Sequence, residues 1–432
     1  MNRNLKTAAA LVATALVSTQ GFAAGFEKST MFSGKYAGMG NAATGNVAGA
    51  ESVYFNPAGL TRGGSEISLN VSPTFSQYSG PITSTTANSS AMGLSPIFGA
   101  FASYKINEKL GLGLGAYVSG GSSSTFKDVA MPAALAPLGI TAAFDLETAL
   151  SLIEYSAAAA YEVIDGLSVG AAFRFGIVSA KLTSPGTTGS GGSTKFNVTT
   201  LSDLKGNAPS YRVGVQYAPK GGTWGVGVSL RGAAPFTTNG SFQTKSAGAG
   251  ASTFTDVAAA AGGSGSATVT GELPLAYGIG GYWNAMSNLA IVAEYTGTNY
   301  NTLQKLGISV TPSLTNTAVS NDLTLNWKMQ SNVRVGADYG LNDNWNLRGG
   351  YVLTTQVTDS EYSAASFVAP GMGHTITLGV GTSFLDKKLG VNLAGDYSTT
   401  SGSGKTNPTA SGFSGDYRTN GYAAHLGINY AL

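Results

Sequence analysis

The sequence predicts an all-β protein, a 14-stranded antiparallel transmembrane β-barrel whose N-terminal segment plugs the lumen. Three observations predict it. The chain is charge-poor and glycine-rich, with 11% of its 432 residues charged and 61 of them Gly, against about 25% charged and roughly 7% Gly in an ordinary soluble domain. Apolar and polar residues alternate along most of its length, which is the period of strands rather than helices. The connections between alternating segments are short and long in turn, the asymmetry of an even-stranded outer-membrane barrel.

The same composition excludes other classes. With 24 Lys+Arg against 22 Asp+Glu and no basic run, the chain lacks the electrostatic footprint of nucleic-acid binding. It has no Cys, hence no disulfide framework and no thiolate nucleophile or metal site. Its 20 Tyr and 18 Phe exclude a disordered tail.

Residues 1–23 read as a secretory signal peptide. Arg3 and Lys6 precede an apolar stretch from Ala8 to Val17, and Gly21-Phe22-Ala23 puts small residues at −3 and −1 of a cleavage site after Ala23. The apolar core is too short to span a bilayer, which needs about 20 residues. No later window of 18 apolar residues occurs, so any crossing is made by strands. An exported chain of this kind belongs in the outer membrane of a Gram-negative bacterium.

Fourteen segments carry the alternation, over approximately 65–78, 93–106, 109–121, 148–163, 167–182, 208–219, 223–233, 268–284, 288–304, 322–341, 344–358, 373–384, 389–399 and 419–432. In the last, Tyr422, Ala424, Leu426, Ile428, Tyr430 and Leu432 share one face. Along 323–341, Leu323, Leu325, Trp327, Met329, Val333, Val335 and Tyr339 point one way; Lys328, Gln330, Asn332, Arg334 and Asp338 point the other. Aromatics near the ends of apolar faces (Tyr211 and Tyr217, Trp345 and Tyr351, Tyr422 and Tyr430) fit interfacial girdles. Six connections are tight turns built on Asn, Asp and Gly, such as Asn107-Glu108 and Asn342-Asp343. The other seven, including 122–147, 183–207, 234–267 and 400–418, are long and rich in Gly, Ser, Thr and Ala. Both ends of the barrel sequence then lie on the periplasmic side, and closure satisfies every backbone group in lipid.

Residues 24–64 stand apart, without alternation and dense in Gly and Ala. Such a segment is either a periplasmic tail or a compact plug. Val53-Tyr54-Phe55 favours the plug, because a solvated tail has little use for three adjacent large apolar residues. The predicted organisation is therefore signal peptide 1–23, plug 24–64 and barrel 65–432.

Ala24-Gly25-Phe26, Gly38-Met39-Gly40-Asn41-Ala42-Ala43 and Asn56-Pro57-Ala58-Gly59-Leu60 resemble the N-terminal hatch of the FadL family. These are outer-membrane transporters of long-chain fatty acids and, in some members, aromatic hydrocarbons. The resemblance continues through Leu167–Gly170, Ala337–Tyr351 and the C-terminal strand, and so covers nearly the whole mature chain. It implies a fourteen-stranded barrel with a hatch, in agreement with the count above. It also implies passive diffusion of a long-chain fatty acid or other apolar small molecule, hatch gating without a cofactor, and lateral exit into outer-membrane lipid by a monomer. In the family, a kink in the third strand makes the side opening; here that strand carries Gly111, Gly113 and Gly115, which serve either as such a bend or as wall positions against a packed hatch. The alternatives are an aromatic-hydrocarbon channel of the same family, an open general porin, and a surface adhesin or structural barrel.

Charged residues on the faces assigned to the lumen are Glu154, Arg174, Arg212, Arg231, Glu294, Lys328, Arg334, Asp338, Arg348 and Asp396. They form either a paired ladder that stabilises the wall or, for one or two cations, a contact to a ligand carboxylate. Arg174, Lys328 and Arg334 are the candidates. In the family, interior basic residues meet the fatty-acid head group; one such arginine aligns with Ser179 here, so its role does not carry over, and Lys181 nearby is a substitute only in principle. That departure leaves a neutral hydrophobic substrate open. Catalysis is not expected: the only histidines, His374 and His425, carry no surrounding signature of a catalytic centre, and no metal-ligand spacing occurs. The apolar external segment Val129–Leu152 is expected to form short helices and a landing groove for apolar molecules.

Overall fold

Fourteen strands close on themselves in this computed structural model, which describes residues 32–83, 87–189, 191–320, 322–407 and 413–432. The expected leader 1–23 and residues 24–31 lie outside the described residues. The strands are β1 Glu66–Pro81, β2 Gly93–Lys105, β3 Leu110–Val129, β4 Phe144–Ile164, β5 Leu167–Thr188, β6 Lys195–Tyr217 and β7 Trp224–Arg231. They continue as β8 Ala276–Met286, β9 Leu289–Thr298, β10 Gln330–Gly340, β11 Trp345–Thr354, β12 Gly373–Phe384, β13 Leu389–Gly404 and β14 Gly415–Ala431. Each pairs antiparallel with its sequence neighbour, and β14 returns to β1 from Glu66↔Ala431 to Ser79↔Arg418. The ring is thereby closed, the condition for a sheet in hydrocarbon.

The alternation is inverted relative to a soluble protein. On β1, Ser68, Asn70, Ser72 and Thr74 are buried, while Ile67, Leu69, Val71 and Phe75 are exposed. Polar residues point to the lumen and apolar ones to lipid. Tyr422 and Tyr430 bracket the apolar face of β14; at about 3.4 Å per residue and a tilt near 40° they lie about 20 Å apart along the membrane normal. The tight turns use side-chain acceptors: Asn107 Oδ1 takes Lys109 N–H and Leu110 N–H, both at 2.9 Å, and Asn342 Oδ1 takes Asn344 N–H and Trp345 N–H, both at 3.0 Å.

The external connections differ from the sequence reading. They continue largely as paired strands above the membrane: β5 and β6 stay paired, across a bulge at Ala180/Leu182, up to Thr188↔Lys195, and Ala234–Ala247 pairs with the upper half of β6 and with Ser264–Leu273. Polar outward residues hide these extensions from a search for apolar alternation. The short helix expected over 129–152 is the 3₁₀ turn Ala133–Leu138. The long strand expected over 322–341 begins only at Gln330. Asn326 takes a left-handed φ of 48°, the phase breaks there, and Leu325 and Trp327 are buried although Val333 and Val335 face lipid.

The lipid face carries no charge in the middle of the strands, so a buried-in-lipid cation tests the assignment. Leu378→Arg on β12 is expected to destabilise the barrel by about 2–4 kcal/mol, read by urea unfolding in lipid vesicles. Thr377→Arg, whose side chain points inward, should leave the lipid contact intact and act through displaced lumenal contacts instead.

Candidate functional site

Residues 32–65, which precede β1, cross the lumen. A short helix, α1 Gly34–Ala37, contacts β12, β13 and β14, whereas the 3₁₀ turn Pro57–Thr61 contacts β3, β4, β5 and β6 on the opposite side. Between them lies a second short helix, α2 Ser52–Phe55. Asn56 caps the 3₁₀ turn, its Oδ1 accepting Ala58 N–H at 3.2 Å with Pro57 in the first position. Its Nδ2 donates to Thr44 O at 2.9 Å and to Val215 O of β6 at 3.1 Å. Gly214 makes this possible, since a Cβ there would sit 1.9 Å from Asn56 Oδ1. Ala58 and Gly59 are fully enclosed with Leu60 against the wall.

Gly111, Gly113 and Gly115 belong to the same packing. Leu60, Val53 and, at Gly115, Phe101 occupy the space their side chains would need, and all three are paired to β2, at Lys105, Ser103 and Phe101. At these glycines the wall is paired and filled, and the break in strand pairing lies further along β3. β2 pairs with β1 from Gly93 to Ser103 but with β3 only from Gly99↔Tyr117 downwards. Beyond Tyr117, β3 holds to β4 alone, through bulges at Val118/Gly120 and Phe126/Val129. Residues 118–124 are buried whichever way they point, so the strand turns into the lumen. Ala91 N–H rejoins it at Thr125 O, 2.8 Å. The wall thus has a slot between 93–98 and 118–124, with Tyr117 as its sill.

The lumen is layered. Towards the external side its inward side chains are apolar, among them Leu152, Val178, Leu204, Phe236, Leu273, Leu306, Trp327 and Phe367. Below them lies a polar cavity of ≈ 110 Å³ lined by Arg212, Arg231 and Arg334, one carboxylate (Glu294), Ser229, Thr298, Gln330, Asn332, and Asn41, Thr44, Tyr54 and Phe55 of the N-terminal segment. Arg212 and Arg231 face one another directly across β6 and β7, and both are more than nine-tenths buried. Arg212 donates to Phe55 O at 3.2 Å and lies 5.0 Å from the Tyr54 ring centre; its Nε meets no hydrogen-bond partner among the described residues. Arg334 donates to Thr296 Oγ1 at 2.6 Å and lies 3.6 Å from Glu294. The other carboxylate oxygen of Glu294 accepts Ala43 N–H at 2.8 Å and Thr44 N–H at 2.7 Å, tying the N-terminal segment to β9. Burial pushes the Tyr54 phenol up to about 12, against the opposing pull of Arg212, so it is neutral.

The four cations singled out from sequence do not converge. Arg174 is bound two-pronged by Glu154 and is buried with it, and Tyr117 O–H donates to the same carboxylate at 3.0 Å. Lys328 corrects the lumenal assignment: the phase break leaves it at the external surface, bonded to Asp359 at 2.6 Å. Lys181 lies on the outward face with Glu147 at 2.7 Å. Arg334 alone lines the cavity, and its neighbours Arg212 and Arg231 complete the set. Their lumenal phase was legible; nothing in the sequence distinguished them from the paired cations. His374 bonds Tyr351 O–H on the outer face, and His425 bridges Ser72 (2.8 Å) and Asp396 (2.7 Å) within the wall.

Two variants test the anchoring. Asn56→Ala removes the cap and the bonds to Thr44 and Val215, an expected loss of about 1–3 kcal/mol in local stability. Glu294→Gln weakens two charge-assisted bonds, about 1.5–3 kcal/mol. Hydrogen exchange should show amide protection falling roughly tenfold or more at Ala43 and Thr44 in both, with β13 and β14 unchanged.

The profile of the family described as Outer membrane protein transport protein (OMPP1/FadL/TodX) matches residues 14–432. No curated protein matches by sequence. Among solved structures, a Pseudomonas aeruginosa FadL homologue superposes with TM-score 0.76 at 15% identity, covering 94% of this chain and 100% of its own. The P. putida toluene transporter TodX gives 0.73 at 14% identity over 94% and 99%. The Ralstonia pickettii toluene transporter TbuX gives 0.67 at 16% over 91% and 97%. At these identities the likeness concerns the fold. With the family profile spanning nearly the whole chain, the protein belongs to the OMPP1/FadL/TodX family of outer-membrane transport proteins, which carry hydrophobic compounds and are channels rather than enzymes.

Proposed function

We propose that the protein takes up hydrophobic carboxylic acids, with long-chain fatty acids as the substrate class, and delivers them sideways into the outer membrane. The observation that carries this reading is Arg212 opposite Arg231. Like charges directly across a sheet destabilise it, and a buried guanidinium with an unmet donor costs more still. An anion between them removes both penalties. The apolar layer above fits the tail, whose transfer from water is favourable by roughly 0.8 kcal/mol per CH₂. The cationic cavity fits the head through charge-assisted bonds.

In this reading residues 24–64 act as the hatch, with Asn56, Pro57, Ala58, Gly59 and Leu60 as its anchor. The slot above Tyr117 is the exit, and diffusion down a gradient needs no cofactor. Neutral aromatic hydrocarbons are the second reading, favoured by the ring cluster beside the cavity, where Phe32, Tyr54 and Tyr117 lie within 4.6–5.9 Å of one another.

Binding of oleate and toluene to the purified protein separates the two. Arg212→Gln, Arg231→Gln and Arg334→Gln are each expected to weaken oleate binding about 10- to 100-fold, the value of one charge-assisted bond, with toluene binding unchanged. Equal losses for both ligands, or toluene binding without oleate binding, would contradict the carboxylate reading.

A further inference from the structure

One aromatic ring separates the cationic cavity from the slot in the wall. Tyr54 lines the cavity and lies under the Arg212 guanidinium at 5.0 Å. Its other side meets Tyr117 edge-on, ring centres 5.1 Å apart at 81°. Tyr117 is the last β3 residue paired to β2, and it stacks on Phe101 of β2 at 5.4 Å. Phe32 closes the cluster, 4.6 Å from Tyr54. Phe55 lines the cavity too, but its ring contacts are with Phe32, Tyr36 and Tyr54, all within the N-terminal segment. Among the described residues, Tyr54 alone makes ring contact with both Arg212 and Tyr117.

We propose that Tyr54 is the gate between cavity and slot, and that a carboxylate bound at Arg212 opens it. The inference rests on the carboxylate reading above. A guanidinium is attracted to an aromatic face, but it prefers a carboxylate, which it binds with charge-assisted hydrogen bonds. A ligand head group therefore draws Arg212 off the ring and removes the one polar contact among the four that hold it, the others being the rings of Phe32, Phe55 and Tyr117. The phenol carries no charge of its own to hold the guanidinium. The ring can then swing from Tyr117 about its own side-chain torsions, while Asn56 keeps the following turn anchored. A neutral ligand makes no such exchange and leaves the gate closed. Gating thus selects for the carboxylate a second time, after binding, and at a different residue.

The test uses the full-length protein in lipid vesicles, with oleate and its neutral analogue methyl oleate. Equilibrium binding and the rate of release into the bilayer are measured separately. Wild type should release oleate at least about tenfold faster than methyl oleate. Tyr54→Leu should release both ligands faster and lose the preference, whatever its equilibrium affinity, which is measured alongside. Tyr54→Phe, which keeps the ring, should behave as wild type. Equal release of the two ligands by wild type, or an unchanged release rate in Tyr54→Leu, would overturn the gate.

The chain has no native Cys, so Tyr54→Cys/Tyr117→Cys bridged by a short reducible thiol linker supplies a control within one folded sample. Release should be slow when bridged and fast after reduction; equal rates would count against the gate. Failure of the parent reading looks different: Arg212→Gln would leave oleate affinity untouched, whereas the Tyr54 variants report on release.

Discussion

Every feature of this protein follows from the rule that a backbone amide in hydrocarbon must be hydrogen-bonded by protein. The rule forces β14 back onto β1 and makes the chain a ring. A ring of this size has an interior, and that interior is the one place where polar side chains, irregular backbone and function can reside. Hence Glu154, Arg174, Arg212, Arg231, Glu294, Arg334 and Arg348 are all buried within it. In a soluble protein the same burial fractions would mark a costly core; here they mark a lumen. The slot is the informative exception. β3 gives up its pairing with β2 only where it turns inward, and Ser124 Oγ–H there donates to Ser366 O of an external connection at 2.9 Å. Broken pairing is tolerated because other protein, not lipid, covers the freed strand.

The N-terminal segment combines a small apolar cluster of its own, built on Tyr36, Met39, Ala42, Ala43, Val47 and Phe55, with polar contacts to the wall. Glu51 accepts Ser68 O–H and Asn70 N–H, Glu294 accepts two backbone amides, and Gln216 donates to Thr44 O and Val47 O. Each bond contributes little individually and is satisfied by specific geometry. The cationic cavity lies against this segment, so a carboxylate in the proposed site would touch both the wall and the N-terminal segment.

Much of the fold was legible because the membrane imposes one period on every strand. Ser68 to Ser76 and Leu426 to Tyr430 announce their faces without tertiary context. Legibility failed where that pressure ends. Above the lipid, β5–β6 and Ala234–Ala247 remain strands with polar outward residues, and alternation no longer marks them. Lys328 shows the converse: alternation persists by accident across a break at Asn326, and the side chain ends outside. At the site, inward phase identified Arg174 and Arg212 equally. Only pairing separates them, because Glu154 neutralises Arg174 and cross-strand register brings Arg231 to Arg212. Register is a property of two strands, and neither strand records it alone. The glycines of β3 are open to two readings in the sequence, a side opening or packing against the N-terminal segment; three of them make room for Leu60, Val53 and Phe101, and the departure from pairing begins at Val118.

The account stands on a carboxylate held among guanidiniums in a buried cavity, and the ionisation of a bound ligand tests that most directly. Oleate labelled with ¹³C at the carboxyl carbon can be titrated in complex with the protein and followed by its NMR shift. Opposite charges close by favour the ionised form, whereas burial in an apolar groove favours the neutral acid. The account predicts a bound carboxyl that remains ionised well below the ordinary carboxylic value of about 4.3. A bound carboxyl that takes up its proton above that value would place the head group in the apolar layer and contradict the cationic site.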